Sequence, residues 1–403
     1  MKIGIYFEGS PKMGGGFFQS LQSCLLLNEI SEYNNQMEQI ITNVETEEYL
    51  KKKKLDFKIY KKNKFIRYYS KLFEIRIFKD LFDKLKINHP FKNFIKKQNY
   101  DLIIFLGPSM LSKFCGETAF IFNIWDLDHK KNSQFPEHNL DYTFEEKEKL
   151  INDIIFRAFK ILVPHESNKK DLMNLYKIEN DKIEIQNFIP YLPSLYKSSK
   201  NNQINHDEIF KKLNLPIEKK IIFYPAQFWA HKNHKYIIDT VEILKKNKNH
   251  KFHFVFCGQK KNNYEYINQQ ISVKKLSDFF TVYNFLDDHE VIALYKKSDA
   301  IVMPTYCGPT NLPIYESFFF RKIIFYTKNL ILDDPINTRL VEIDITSPID
   351  FYNKLNICFN EEKIKEITDA NYKFYNLICD ENLFKNKYKK ILNEFSYLLN
   401  RWK

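Results

Sequence analysis

Short apolar runs alternate with helix-like patterns along this chain, once through its first half and again through its second. Such alternation predicts parallel sheets whose faces are covered by helices. Because 403 residues exceed what one hydrophobic core comfortably supports, we predict an α/β fold with two similar domains. The predicted strands are residues 2–7, 39–44, 101–106, 119–125 and 160–164, followed by 220–224, 252–257, 280–283, 299–304 and 322–326.

Residues 301–319 run from a buried strand through a polar turn into a helix that carries a carboxylate. A helix start leaves backbone N–H groups without partners, and its dipole favours an anion such as a phosphate. Gly308 lets the backbone approach a ligand closely, while Thr310 and Asn311 add short polar groups. Glu316, about one turn further, can accept two neighbouring hydroxyls of a sugar. These groups favour a nucleotide sugar, and the alternative is a plain crossover with a solvated first-turn carboxylate.

Four stretches of the chain resemble family 4 glycosyltransferases, in the subgroup whose donor loop contains Gly-Pro-Thr-Asn-Leu-Pro. Residues 303–316 match that loop, and residues 123–137 resemble the subgroup's Trp-Asp-Leu-x-His stretch. Residues 166–172 resemble its helix start, and residues 224–234 resemble the segment that holds the donor diphosphate. The four matches occur in the family's order and span residues 123–316.

The resemblance implies the GT-B fold, in which two Rossmann-like domains face each other across a cleft and the C-terminal helix crosses back to the N-terminal domain. The predicted domains are residues 1–198 on the acceptor side and residues 199–380, which bind the nucleotide sugar, with residues 381–403 as the crossover helix. Residues 190–207 are rich in Pro, Ser, Asn and Lys, and this composition predicts the interdomain linker.

The resemblance also implies a reaction. It implies that a hexose passes from a nucleotide-diphosphate sugar to a hydroxyl of a glycan or lipid-linked glycan, with retention, in surface polysaccharide assembly. Lys232 matches the family's diphosphate-binding lysine, and Gln227 stands where most of the wider family has arginine. The implied donor-binding residues are Gln227, Lys232, Gly308, Thr310, Asn311, Leu312 and Glu316.

Asp126 and His129 follow the strand predicted at residues 119–125, at the end where α/β sheets bind ligands. A carboxylate beside a histidine can take a proton from an acceptor hydroxyl, so we predict that both are catalytic. The alternative is that Asp126 caps a helix and His129 is a surface histidine. A glycine turn after the first strand and a later helix start supply the predicted acceptor-side or cleft-loop residues. These are Gly15, Gly16, Gln19 and Glu166.

Two positions depart from the wider family. Gly308 stands where most members have the first of two glutamates, and Trp125 stands where they have a histidine. These departures keep open the alternative of a non-catalytic scaffold that binds glycan or membrane. A nucleotide-sugar epimerase is the other alternative, because epimerases of the same fold also bind a diphosphate between two lobes. His231 and His234 have no further metal ligand nearby in the sequence, and the resembled family needs no metal for donor binding, so we expect neither metal nor cofactor.

Positive charge is concentrated in residues 51–97, which hold 17 Lys or Arg and 4 Asp or Glu in a chain of net charge +12. Apolar residues at Tyr69, Phe73, Ile77 and Leu81 follow helical spacing there. A basic amphipathic helix predicts contact with an anionic membrane, and the alternative is a helix packed on the sheet with its lysines in water. No zinc finger, RNP signature or helix-turn-helix pattern accompanies the charge, so we predict no nucleic-acid partner.

The cysteines and the apolar runs bear on the compartment. Six cysteines are scattered without close pairs, which predicts a reducing environment. No apolar run approaches the roughly 18 to 20 residues that span a bilayer, and Met1 leads directly into a strand rather than a signal sequence. We therefore predict a cytoplasmic protein with peripheral contact at the inner face of the cytoplasmic membrane.

Overall fold

A computed structural model describes most of the chain. The described residues are 1–10, 14–42, 46–47, 50–51, 55–61, 64–201, 204–308, 311–328, 330 and 340–402. They form two compact units. The first unit comprises Met1–Trp125, Glu145–Ile189 and the chain from Glu381 onward, and the second comprises Asp126–Phe144 and Pro190–Asp380. The predicted boundary at residue 198 differs from these units, because residues 126–144 and 190–198 lie in the second.

Each unit is built on one sheet, and every strand pair is parallel. The strands of the described residues are β1 (Ile3–Phe7), β2 (Met37–Ile41), β3 (Phe57–Ile59), β4 (Leu102–Phe105), β5 (Ala119–Asn123), β6 (Lys160–Val163), β7 (Ile183–Ile185), β8 (Lys220–Pro225), β9 (Phe252–Cys257), β10 (Phe280–Tyr283), β11 (Ala300–Met303), β12 (Ile323–Thr327) and β13 (Val341–Ile343). Their order is β3-β2-β1-β4-β5-β6-β7 in the first unit and β10-β9-β8-β11-β12-β13 in the second. Central strands such as β4 and β9 are apolar and wholly buried, as helix-covered parallel sheets require.

Helices connect the strands. In the described residues they are α1 (Gly15–Asn28), α2 (Lys64–Glu74), α3 (Arg76–Lys84), α4 (Pro90–Gln98), α5 (Asp128–Lys131), α6 (Pro136–Asn139), α7 (Thr143–Ile154), α8 (Glu166–Tyr176), α9 (Tyr191–Asn201), α10 (His206–Lys212), α11 (His234–Lys246), α12 (Tyr264–Val273), α13 (Asp288–Lys297), α14 (Leu312–Phe319), α15 (Pro348–Lys354), α16 (Glu361–Ile378) and α17 (Glu381–Trp402). Polar caps fix several starts, most completely at α13, where Asp287 and Glu290 form a capping box. Among these helices, none is both long and apolar enough to cross a membrane.

The predicted α/β fold class is confirmed, since all ten predicted strands are present to within a few residues at their ends. Residues 43–45, where the second predicted strand ends, lie outside the described residues. The prediction missed β3, β7 and β13. Each of these has three residues and lies at an edge of its sheet, so none produces a long buried apolar run.

Two local predictions need correction. The single amphipathic helix expected around residues 69–85 is broken at Ile75, which separates α2 from α3. Phe73 and Phe82 stack on each other with ring centroids 4.5 Å apart, while Ile77 is exposed, so the expected apolar stripe divides into a packed part and an exposed part. The stretch predicted as a linker, residues 190–207, contains α9 and the start of α10 instead.

The last helix, α17, belongs to the first unit. Tyr33 donates a hydrogen bond of 2.6 Å from its hydroxyl to Oδ1 of Asn393 in this helix. Lys387 donates from Nζ to the carbonyl oxygen of Ile185, at the end of β7, over 2.7 Å. Hydrogen bonds therefore connect α17 to two separate segments of the first unit, the residues after α1 and the end of β7.

Candidate active site

The turn between β11 and α14 is shaped by Gly308. This residue has a φ of 99°, a backbone conformation that strains any residue with a side chain. Asn311, the last residue before α14, donates hydrogen bonds from Nδ2 to the Gly308 carbonyl and, over 2.7 Å, to the Tyr326 hydroxyl. The same hydroxyl donates to the Gly308 carbonyl over 3.2 Å. Thr310, predicted to bind the donor, lies outside the described residues.

Lys232 reaches this turn from a different part of the second unit. It closes the 3-10 turn Ala230–Lys232, and its Nζ donates to Oδ1 of Asn311 over 3.2 Å. Because both amide protons of Asn311 are directed to Gly308 and Tyr326, its carbonyl oxygen is the atom left to face the ammonium. Burial lowers the pKa of Lys232, and Asp128 is the largest of the acidic groups that oppose this change.

The segment after β8 is folded tightly against the end of β9. A side chain at Gly258 would place its Cβ 2.1 Å from the carbonyl oxygen of Ala226, so only glycine fits there. Gln227 accepts a hydrogen bond at Oε1 from the indole N–H of Trp229 over 2.8 Å. Lys261 lies over the Trp229 ring, 5.0 Å from its centroid. These contacts fix the residues that precede Lys232.

A carboxylate from the 126–144 segment binds the same turn. Glu137 accepts hydrogen bonds at Oε1 from the backbone N–H of His231, over 2.9 Å, and from Nδ1 of the His231 ring. Its Oε2 accepts a third from Nδ2 of Asn262 over 2.9 Å. Asn262 in turn accepts from the backbone N–H of Ala230 over 3.1 Å. Glu137 and Asn262 thus occupy backbone donors at the start of the 3-10 turn.

In this cluster the pKa values of Glu137 and His231 are both lowered from their ordinary values. Burial by itself raises the pKa of Glu137, but the hydrogen bonds from His231 and Asn262 outweigh it and hold the pKa at about 2. Burial lowers the pKa of His231 to about 4, even though Glu137 acts in the opposite direction. At neutral pH the pair is therefore a carboxylate and a neutral imidazole. Since a carboxylate only accepts, the imidazole proton must sit on Nδ1.

Glu316 lies in α14 but is buried. Its Oε2 accepts a hydrogen bond of 2.6 Å from the hydroxyl of Tyr295, which is also buried. Burial raises the pKa of Glu316 to about 7, which the Tyr295 hydrogen bond opposes and the nearby Asp288 carboxylate reinforces. Glu316, the predicted ligand of sugar hydroxyls, is therefore buried, and one of its carboxylate oxygens already accepts a hydrogen bond.

The two predicted catalytic residues, Asp126 and His129, lie in the second unit. Asp126 accepts a hydrogen bond at Oδ1 from the backbone N–H of Asp128 over 3.1 Å, at the start of α5. Its charge, like that of Asp128, acts on the Lys232 ammonium. His129 is buried rather than on the surface, and its ring lies 5.6 Å from that of Phe144. The helix-start contact expected of Asp126 is present, and the surface position considered for His129 is not.

The predicted acceptor-side residues lie in the first unit. Gly15 is exposed at the start of α1, and Glu166 is exposed at the start of α8. A side chain on Gly16 would place its Cβ 2.7 Å from Cζ3 of Trp125, so the indole fills the space that this glycine leaves. Gln19 is buried and donates from Nε2 to the Ser23 hydroxyl over 3.3 Å.

The structure therefore joins three predicted donor-site residues by hydrogen bonds: Lys232, Asn311 and Gly308. Leu312 begins the helix that follows them, and Gln227 is held by its neighbour Trp229. Sequence reasoning missed Glu137, Asn262, Tyr326 and Tyr295 as partners of these residues. Glu137 was part of a resembling stretch, but nothing in the sequence links it to a residue 94 positions later. In the described part of the chain, no group of three or more His, Cys, Asp or Glu side chains could hold a metal ion.

Comparison with known proteins bears on this site. Residues 205–341 match the family model of glycosyl transferases group 1, and this region contains both Lys232 and the turn at Gly308. No curated protein matches the chain.

Solved structures match nearly the whole chain. HepE from Anabaena, solved in complex with UDP, has a TM-score of 0.70 at 12% identity, covering 98% of this chain and 100% of its own. A glycosyltransferase from Rickettsia africae has a TM-score of 0.70 at 17% identity, covering 98% of each chain. UDP-GlcNAc 2-epimerase from Neisseria meningitidis, bound to UDP-GlcNAc, has a TM-score of 0.61 at 13% identity, covering 98% of this chain and 100% of its own. At these identities the likeness establishes the two-unit fold, and residues 205–341 carry the glycosyl transferases group 1 match.

Proposed function

We propose that this protein is a glycosyltransferase that moves a hexose from a nucleotide-diphosphate sugar to a hydroxyl of a glycan or lipid-linked glycan. The observation that carries the proposal is the hydrogen bond between Lys232 and Asn311, at the start of α14. It joins a cation to a helix start, and both lie within the region that matches the glycosyl transferases group 1 model. A cation beside a helix start, whose dipole favours an anion, suits a diphosphate.

Each residue of the turn has a role in this reaction. Lys232 and the backbone around Gly308 bind the diphosphate and stabilise the charge that develops on it as the bond to the sugar breaks. Leu312 contributes backbone at the helix start, and Gln227 binds the donor in place of the arginine of the wider family. Glu316 binds donor hydroxyls, which requires a local rearrangement that frees it from Tyr295.

The 126–144 segment supplies the reacting side. Asp126 and His129 face the reacting sugar carbon and the acceptor hydroxyl, and the transfer proceeds with retention, as the family resemblance implies. The cleft-loop residues Gly15, Gly16 and Glu166 bind on the acceptor side, with Gln19 packed behind them. No metal or cofactor takes part in donor binding.

We propose further that the acceptor is membrane-borne, in surface polysaccharide assembly at the inner face of the cytoplasmic membrane. The support is the surface of α2 and α3. Phe65 is 66% exposed and Ile77 is 78% exposed, although both are large apolar side chains. The exposed lysines Lys79, Lys84 and Lys86 lie nearby in the chain. Exposed apolar groups next to lysines suit the surface of an anionic bilayer.

Vesicle binding tests this part of the proposal. Replacing Lys79, Lys84 and Lys86 by Glu removes about 1 kcal/mol of attraction per lysine near an anionic surface, so sedimentation with phosphatidylglycerol vesicles should fall strongly. A control variant with the same charge change elsewhere replaces the exposed Lys211, Lys212 and Lys248 by Glu. Equal loss in the two variants would show only general electrostatics, and unchanged binding in the first would reject the surface.

One alternative has support of its own. The Neisseria meningitidis UDP-GlcNAc 2-epimerase shares the fold at a TM-score of 0.61, so a nucleotide-sugar epimerase remains the second candidate. An epimerase needs no acceptor, whereas a transferase releases nucleoside diphosphate in proportion to acceptor glycosylated. Gly308 and Trp125, which replace an acid and a histidine of the wider family, favour the third candidate, a non-catalytic scaffold.

The first experiment is a thermal-shift screen against nucleoside diphosphates and nucleotide sugars, followed by turnover with and without glycan acceptors. UDP is the first nucleotide to test, because HepE was solved with UDP. Ligand binding at a hundredfold excess over Kd stabilises the folded state by about 2.7 kcal/mol, which gives a clear shift. A base-selective shift with acceptor-dependent product supports the transferase. A sugar product without acceptor supports the epimerase, and no shift with any nucleotide rejects both.

A further inference from the structure

We propose that Glu137 is a positioning residue for donor binding: through His231 it fixes the placement of Lys232 and of the turn that precedes α14. This inference rests on the proposed function. It comes from a set of contacts between three separate stretches of the second unit, namely the 126–144 segment, the turn after β8 and the turn after β11. Among the residues that make these contacts, only Lys232 and Asn311 are predicted to touch the donor.

The first step is the attachment of Glu137 to the turn after β8. Its Oε1 accepts from the backbone N–H of His231 over 2.9 Å and also bonds the His231 ring, while its Oε2 accepts from Asn262. Its side chain is only 5% exposed. Three hydrogen bonds to one buried carboxylate restrain both the backbone and the ring of His231, because hydrogen bonds to a charged group are about twice as strong as neutral ones.

The second step leads from His231 to the turn after β11. The carbonyl oxygen of His231 accepts from the backbone N–H of Tyr306 over 2.8 Å and from the Thr305 hydroxyl over 3.3 Å. The single proton of the Thr305 hydroxyl is shared between this carbonyl and the nearer carbonyl of Cys307, 2.8 Å away and next to Gly308. One residue, His231, is thus bonded through its N–H and ring to Glu137 and through its carbonyl to the turn after β11.

The third step fixes Lys232 itself. Its backbone follows His231 directly, and its carbonyl accepts a hydrogen bond of 2.6 Å from the Tyr224 hydroxyl. Its Nζ then meets Asn311 across the turn. Because its neighbour is anchored by Glu137 and its own carbonyl by Tyr224, the lysine side chain projects from a backbone held on both sides. Aromatic packing supports the arrangement: the Phe135 ring lies 5.3 Å from that of Tyr306.

A carboxylate suits this role better than a neutral group. Glu137 must accept three hydrogen bonds, and an ionised carboxylate has acceptor sites for all of them, whereas the amide of Gln has one accepting atom. Its charge also acts on Lys232, where it favours the charged ammonium that a diphosphate needs. Glu137 touches neither Lys232 nor the turn at Gly308 through any hydrogen bond that the described residues show, so its effect passes through His231.

The test compares Glu137→Gln and Glu137→Ala with the wild-type protein in donor saturation kinetics and in UDP calorimetry. Displacing Lys232 weakens stabilisation of the leaving diphosphate, so kcat should fall, and it weakens binding of the diphosphate in the ground state, so KM for the donor should rise. We expect a rise of about tenfold in the Gln variant and more in the Ala variant, the size that loss of a charged hydrogen bond gives. UDP affinity should fall by the same factor.

Two further variants separate positioning from stability. Asn262→Ala removes one partner of Glu137 at an exposed site, so it should fold and should give a smaller rise in KM. Glu242→Gln removes a carboxylate of the same unit that lies outside this set of contacts. Glu242 pairs with Lys246 on α11 and with Lys274, which follows α12. This variant should leave UDP affinity unchanged. All affinities are measured well below each variant's Tm.

The outcomes are distinct. If wild-type protein binds no nucleotide, the proposed function fails. If wild-type protein binds UDP and the Glu137 variants bind it equally well, while losing only melting temperature, the positioning role is rejected and Glu137 is a packing residue. If kcat falls by orders of magnitude with an unchanged KM, Glu137 acts in the chemical step, which also overturns the proposal. A raised KM, restored in part by Gln relative to Ala, supports it.

Discussion

The segments that follow β1 and β11 look alike in sequence, since each joins a buried strand to a helix through glycine. Gly16, the second residue of α1, and Gly308, in the turn after β11, nevertheless have different roles. Gly16 makes room for an aromatic ring, because the Trp125 indole lies where its side chain would be. Gly308 instead adopts a φ of 99° that its neighbours hold by hydrogen bonds. The first glycine is needed for space and the second for backbone conformation.

The helices after these turns continue the contrast. Gln19 is the fifth residue of α1 and Glu316 is the fifth residue of α14, and both are buried. Gln19 is a neutral amide bonded to Ser23, whereas Glu316 is an acid bonded to Tyr295. The same position thus carries a group that cannot titrate in one unit and one that can in the other. The comparison teaches that a shared strand-turn-helix pattern does not by itself define a ligand site.

The largest expected effect concerns the turn after β11. Lys232→Ala should lower turnover at least a hundredfold, because it removes the cation that stabilises the leaving diphosphate. Initial rates with saturating donor and UDP calorimetry would measure this. Lys235→Ala is the matched control, since Lys235 lies three residues on and pairs with Asp239. Equal loss of turnover in both variants, or no loss in Lys232→Ala, would contradict the predicted role of Lys232.

The next effect is a pH dependence of the free energy of unfolding. We expect it from Glu316 in α14 and not from Gln19 in α1. The pKa of Glu316 is raised to about 7 by burial, so the folded state holds the proton more tightly than the unfolded state. Stability is then greatest below the ordinary carboxyl pKa near 4.5 and falls as pH rises to about 7, by as much as about 3 kcal/mol. Glu316→Gln should remove this fall.

Urea unfolding of wild type and Glu316→Gln at pH 5, 6, 7 and 8 measures the difference. The advantage of the Gln variant should grow with pH across this range. Asp288, whose pKa burial raises to about 6, titrates in the same window, but it is present in both proteins and its direct contribution cancels. Parallel curves would mean that Glu316 is ionised throughout. Gln19→Glu, which places a buried acid at the same position of α1, should introduce a similar fall of stability with rising pH.

A smaller effect tests whether Gly16 is needed for space. Gly16→Ala places a methyl group 2.7 Å from the Trp125 ring, and such overpacking typically costs about 1 to 3 kcal/mol. Trp125→Phe should relieve part of this cost, so the double variant should be more stable than the sum of the single changes predicts. Chemical denaturation of all four proteins completes the cycle. Additive changes would show that the ring does not occupy this space.

The smallest effect tests whether Gly308 is needed for conformation. Gly308→Ala should cost about 1 kcal/mol, because a residue with a side chain is strained at this φ. Unlike the change at Gly16, it should also weaken UDP binding, since the strained turn presents the backbone that meets the diphosphate. Thermal melts with and without UDP separate the two effects. A variant that binds UDP normally would assign Gly308 to the fold alone.

Sequence reasoning was most successful where one local pattern decides the structure. The buried strands β4 and β11 are short apolar runs, and Gly308 lies in a turn whose residues are adjacent in the chain. The partners of the site residues were not predictable in this way. Glu137 and His231 meet only because folding brings together residues 94 positions apart, and Glu316 looked exposed because its partner Tyr295 belongs to a neighbouring helix.

Placement of α17 in the first unit has a consequence for synthesis of the chain on the ribosome. Most of the first unit is translated before residues Pro190–Asp380 of the second unit, whereas its residues from Glu381 onward are translated after them. The surface near Tyr33 and β7, which α17 contacts in the folded protein, therefore stays uncovered while some two hundred residues are translated. At about 5 to 20 residues per second this interval lasts roughly 10 to 40 s, and apolar surface that stays uncovered for so long favours aggregation.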